Sequence, residues 1–295
     1  MRPGNLKAIG TMLAGVFFFA LLDAGLKHLA GTYPPIQVMC MRAAASLPFL
    51  LGAVASTGAW QELRVERPML YVMRAALGML VLWTFIYAVS VQSLSYTYAI
   101  YMSAPLMVAA LAGPVLGETV PPRRWAAIVA GLVGVVIALK PSGGFVALGG
   151  LAAALSASCY AVNVRAVRLI GRTDSNYALV FWHLVLVLSA SALIGWPSFQ
   201  PIAREHWPWI AACGLTGALG QYLFTSAFRL APASTIAPFE YTAMLWGVAL
   251  DWLVFTTVPH LRVLCGAAIV IACGIYVVLD DRRTRPAPIL DVPIA

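Results

Sequence analysis

Apolar residues run along this chain in ten long blocks, near 7–29, 36–55, 69–89, 94–116, 124–140, 146–164, 177–196, 208–226, 233–256 and 262–279, parted by short polar turns. Each block holds 17 to 24 residues. At a helical rise of 1.5 Å per residue, such a length spans the roughly 30 Å of hydrocarbon in a bilayer. The pattern predicts an all-α integral membrane protein of ten transmembrane helices. Composition agrees: 61% of residues are hydrophobic and only 10% are charged, against about 25% charged in an ordinary soluble domain. Mean hydropathy is +0.86. The first block is too long for the apolar core of a cleavable leader and has no small-residue cleavage site before Asp23, so no signal peptide is expected.

The blocks fall into two sets of five with similar endings. Leu116 to Lys140 and Phe255 to Asp280 each run from an apolar segment through a short Pro-containing turn with a basic residue. Each then enters a span rich in small residues, with Gly131 and Gly134 in one and Gly266 and Gly274 in the other. Two repeats are expected, residues 1–140 carrying spans 1–5 and residues 141–295 carrying spans 6–10 and a short cytoplasmic tail. The Pro-Ser-Gly-Gly stretch at 141–144 joins them. Five spans per repeat is an odd number, so the second copy must insert upside down relative to the first. Inverted repeats of this kind mark alternating-access transporters.

The details resemble the EamA-type branch of the drug/metabolite transporter superfamily. The matching features are Pro34-Pro35 followed by Arg42, Leu116-Gly117-Glu118 closing span 4, Ala237 to Thr242 opening span 9, and Gly266 to Gly274 in span 10. The resemblance covers essentially the whole chain. It implies ten helices, a substrate cavity between the halves, and export of amino acids or related metabolites as the commonest role. The chain departs from the family at Thr257, the counterpart of Glu118, where a glutamate is usual. Glu118 is therefore not assumed to have a working twin.

Fourteen of the 19 Lys and Arg residues fall on the cytoplasmic side if the N-terminus is inside; the opposite side holds Lys27, Lys140, Arg204 and Arg262, and Arg42 lies within a helix. This bias places both termini in the cytoplasm of a bacterial-type inner membrane. It also accounts for the net charge of +8 without a nucleic-acid partner. The partners expected are a small-molecule substrate and the lipid bilayer. A ten-helix chain can act as a monomer, and a dimer stays open.

Charges inside a bilayer cost about 2.5–3.5 kcal/mol each on insertion scales, so they are the first candidates for function. Asp23 and Arg42 lie at similar depth on either side of the turn near Thr32, and an ion pair is expected between them, either as a hairpin lock or as a gate that meets substrate. Glu240 lies a few residues into span 9, where Pro232 and Pro238 interrupt the helix. It is a candidate carrier of a coupling proton, or a structural partner of Arg74 or Arg229. His183, mid-way in span 7, is a second proton-relay candidate, with packing as its alternative. Lys27 is expected to snorkel outward, and Asp251, near the outer end of span 9, to be solvated.

Aromatic residues concentrate on spans 3 and 4. Trp83, Tyr87, Tyr98 and Tyr101 are expected to line a cavity facing Tyr160, Asn163, Gln221, Tyr222, Tyr241 and Trp246; the alternative for part of this set is the interfacial aromatic belt. Aromatic walls with a few amides suit a mostly apolar zwitterion or a flat ring. Gly113 and Gly117 on span 4, and Gly214, Gly217 and Gly220 on span 8, read as close helix contacts or hinges. The five cysteines all lie in apolar segments without CxxC or Cys/His spacing, so no metal site or cofactor is expected. No GxxxxGK[ST], HExxH, GxSxG or CxxCH occurs, which points to secondary transport and away from an ATPase or an enzyme. A membrane-embedded enzyme would have to rest on His183 and Glu240 alone; a lipid scramblase is the other alternative.

Overall fold

The computed structural model describes residues 3–65, 67–107, 110, 121–139, 145–170, 175–230 and 237–284. Gly113, Gly117, Glu118, Pro232 and the 141–144 joint lie outside them. The helices are α1 (Pro3–Ala30), α2 (Pro35–Thr57), α3 (Pro68–Val91), α4 (Leu94–Tyr101), α5 (Pro122–Leu139), α6 (Phe145–Ile170), α7 (Asn176–Gly195), α8 (Trp207–Leu230), α9 (Ala243–Leu253) and α10 (Leu261–Thr284). No strand occurs among the described residues. In lipid this is dictated: a helix satisfies its backbone within one segment, whereas an open sheet edge has no water to turn to.

Local chemistry sets the helix ends. Pro35 and Pro68 open α2 and α3 at positions where the absent N–H has no intrahelical partner to lose. Ser93 and Ser175 cap α4 and α7 by accepting from the N–H groups of Tyr96 and Ala178. Gly58, at φ 69°, closes α2 in the left-handed conformation that a side chain would disfavour.

Among the described residues, five helices have unbroken apolar runs long enough to cross a membrane: Leu6–Ala30, Pro35–Thr57, Pro68–Val91, Tyr177–Ser198 and Leu261–Asp280. Blocks 4 and 9 behave differently from the continuous spans the hydropathy suggests. The fourth leaves the helix at Met102–Ser103 and resumes at Ala104, because Pro105 has no N–H to offer the Tyr101 carbonyl one turn earlier. In the ninth, the described residues open with a 3₁₀ segment, Ala237–Thr242, holding Pro238, which passes into α-helix at Ala243.

Helix pairing is two-fold symmetric. α1 packs on α8 as α6 packs on α3, and α2 on α8 as α7 on α3. The pairs α2–α7, α4–α9 and α5–α10 each map onto themselves when helix n is exchanged for helix n+5. Ten helices thus form two inverted repeats whose members interleave. Glycine brings several seams to backbone contact: a Cβ on Gly266 would stand 2.6 Å from the Gly134 carbonyl oxygen. On α8, Gly214 lies against the Ala45 carbonyl and Gly220 against Phe19. Small residues serve here because, between helices already in lipid, close packing supplies the attraction that water exclusion supplies in soluble proteins.

Candidate substrate chamber

Tyr101, the last residue of α4, sits at the break in the fourth block. Its ring meets Phe85 of α3 edge-on at 5.4 Å between centroids, and Tyr160 of α6 at 5.7 Å. One turn earlier, Tyr98 stacks on Phe85 at 6.3 Å and donates its hydroxyl to Asp23 Oδ2 at 2.6 Å. Asp23, Arg42 and Glu240 all lie within electrostatic reach of Tyr101. Five helices and the broken entry to α9 therefore converge on one aromatic side chain.

Beside Tyr101 is a small, partly open cavity of about 50 Å³ walled by Tyr101, Met102, Ala104, Pro105, Tyr160, Glu240 and Tyr241. It has room for roughly three waters. Both broken blocks contribute to its wall, Met102 to Pro105 from the fourth and Glu240 and Tyr241 from the ninth. Discontinuous helices at a central site are how transporters expose backbone polar groups to a ligand without exposing them to lipid. Among the described residues Glu240 has no ion-pair partner; Arg74 instead gives its guanidinium to the Leu179 carbonyl. A carboxylate at this depth without a fixed counter-charge is available for a cationic group or a proton. The Tyr241 hydroxyl lies over Gly274, where any side chain would collide with it, and has no hydrogen-bond partner.

Several residues stand elsewhere than the sequence suggests. Asp23 and Arg42 are electrostatic neighbours but form no ion pair, since Tyr98 takes the Asp23 carboxylate and the two charges are not in contact. Arg42 keeps a buried Nε with no partner. Trp83, 46% exposed, and Tyr87 line a separate apolar groove between α3 and α6, with Leu148, Leu151 and Leu155, that opens sideways toward lipid. Tyr222 is 63% exposed and also faces outward. Trp246 packs on Phe17 of α1 at 4.7 Å. His183 presses on Gly78 of α3. Asn163, one turn beyond Tyr160, buries an unpartnered amide oxygen, and Gln221 is half-buried on α8; neither is on the cavity wall. A helical wheel fails for these aromatics because a span hydrophobic on all sides does not reveal which face meets protein.

The largest departure concerns Asp251 and Lys27. Asp251 is fully buried, not solvated, and Lys27 does not snorkel: its Nζ donates to Asp251 Oδ1 at 2.9 Å. Met102, Ala104 and Pro105 are wall residues the sequence reading leaves out. Only Pro105, a helix breaker inside an apolar block, carries a legible signal.

Inverted helical repeats with broken helices at a cavity are an arrangement that transporters of small molecules use. The EamA-like transporter family model matches residues 6–140 and again 147–279, and the chain belongs to that family. It is a transporter and not an enzyme. The chain is 28% identical to a riboflavin transporter of Vibrio cholerae, over 88% of this chain and 89% of that protein. It is 26% identical to the pseudopaline exporter CntI of Pseudomonas aeruginosa, over 91% and 96%. A third relative, the S-adenosylmethionine uptake transporter of Rickettsia bellii, is 23% identical over 93% and 94%. A solved crystal structure shares the fold with a TM-score of 0.64 at 18% identity, covering 94% of this chain and 99% of the other.

Proposed function

We propose that the protein is a secondary inner-membrane exporter of amino acids, aromatic or large neutral ones, and related metabolites, working by alternating access. In this reading both termini are cytoplasmic and the repeats divide at 140/141. The observation that carries it is Glu240, without an ion-pair partner among the described residues, on a small cavity walled by Tyr101, Tyr160 and Tyr241. Aromatic faces and a carboxylate attract an ammonium group together, and the same faces stack a flat side chain. Arg42, with its unpaired Nε beyond Tyr101, supplies the charge for a substrate carboxylate.

A second reading, transport of a vitamin or nucleoside-like cofactor, is favoured by the names of the riboflavin and S-adenosylmethionine relatives. Both solutes carry flat ring systems that the same walls would stack. Efflux from proteoliposomes loaded with the twenty amino acids, riboflavin and S-adenosylmethionine, with and without a pH gradient, separates the two. Selective loss of aromatic and large neutral amino acids supports the first reading. Retention of all amino acids overturns it, and efflux of riboflavin or S-adenosylmethionine alone establishes the second.

A further inference from the structure

Asp251, at the end of α9 away from the cavity, accepts four hydrogen bonds and is 0% exposed. Lys27 Nζ of α1 donates to Oδ1 at 2.9 Å, and Leu94 N–H to the same oxygen at 3.0 Å. Ser95 donates its N–H to Oδ2 at 2.7 Å and its hydroxyl at 2.6 Å. One carboxylate thus caps the N-terminus of α4 and neutralises the lysine of α1. Lys27 also lies over the Phe255 ring, 4.2 Å from its centroid. The donors belong to the first repeat and the acceptor to the second, so the knot ties the halves together.

The same face carries a second tie between halves. Three residues after α1 ends, Tyr33 in the α1–α2 turn accepts from the Ala203 N–H at 3.0 Å and meets His206 Nδ1 at 2.8 Å. Gln37 exchanges both of its amide groups with the backbone of Gln200, at 2.6 and 2.8 Å. At the opposite end the charged tie is Asp280 with Arg123 and Arg124, both at 3.0 Å. That tie joins α5 to α10, which are already in backbone contact at Gly134 and Gly266 and so form a fixed seam.

We propose that Lys27 and Asp251 are the gating residues on the α1–α2 side of this transporter, and that the conformation described here is closed on that side. Opening the path there separates α9 from α1 and α4 and delivers both charges to water. In the closed state each charge is sheltered from lipid by the other. Losing either partner strands the survivor in a low-dielectric site and favours the open state, where water solvates it.

The inference rests on the transport reading, and its test is independent of the substrate. Met102→Cys places a reporter on the cavity wall in a chain stripped of Cys40, Cys159, Cys213, Cys265 and Cys273. A membrane-impermeant maleimide is then applied to proteoliposomes from one face at a time. Lys27→Met and Asp251→Asn are each expected to raise labelling from the α1–α2 face about tenfold or more over the parent. The double variant, with no stranded charge, should fall between parent and single variants. Lys27→Met leaves the α4 cap in place and so covers the case in which Asp251→Asn does not fold, a point checked by gel filtration. Unchanged labelling from the α1–α2 face in folded variants, with labelling from the other face intact, overturns the gate and leaves the transport reading standing. A reporter reached from neither face in any variant overturns both.

Discussion

Tyr101 is held by Phe85 and Tyr160 and lies within reach of charges from three other elements, so single substitutions there should separate contact from packing. Tyr101→Ala is expected to lower the transport rate about tenfold or more, a loss of the size that follows removal of a stacking ring. Trp83→Ala, on the lipid-facing groove, should leave the rate within about twofold, well inside the range of a single methylene contact. Equal losses in initial-rate efflux assays would return Trp83 to the chamber. Glu240→Gln keeps the shape of the side chain and removes its charge. If Glu240 carries the coupling proton, this variant transports without response to an imposed pH gradient, whereas a preserved response rules that role out.

At the scale of elements, the broken fourth and ninth blocks matter most. Hydropathy sees each as one continuous span because Pro and Ser cost little in a window average. Yet Pro105 and Pro238 turn both into discontinuous segments that build the cavity wall. Gly274 of α10 shapes that wall through Tyr241. Gly274→Ala should push the Tyr241 ring inward and weaken substrate binding more than it lowers thermal stability, because the clash is with the end of a side chain. Gly266→Ala has the opposite expectation. Its Cβ meets the backbone of Gly134 and Ala138, an overpacking that costs about 1–3 kcal/mol, so the melting temperature falls in a detergent thermal-shift assay.

For the whole molecule, the two-fold pairing of helices is the arrangement that the proposed alternating access requires: in that proposal two interleaved repeats rock about the α5–α10 seam while ties at the α1–α2 face make and break. With both termini in the cytoplasm, a single cysteine introduced as Arg64→Cys is expected to label only from the cytoplasm, and one introduced as Arg204→Cys only from outside; reversed labelling would place the Lys27–Asp251 gate on the cytoplasmic side.

Span number, helical class, repeat parity and family were legible in the sequence because they depend on length, hydropathy and motif spacing, which the bilayer reads one segment at a time. Tyr101, Tyr160, Glu240 and Tyr241, which line the cavity, also stand out in the sequence as polar or aromatic residues within apolar blocks. What lies opposite each residue was decided only in three dimensions. Asp23 appeared to face Arg42 at matching depth, yet Tyr98, 75 positions away in sequence, claims its carboxylate. Asp251 appeared solvated at a helix end, yet α1 and α4 close over it from positions more than 150 residues distant. Charges in lipid must find partners, but depth along a span says nothing about which face of which helix supplies them, and that choice belongs to the packing of the two repeats.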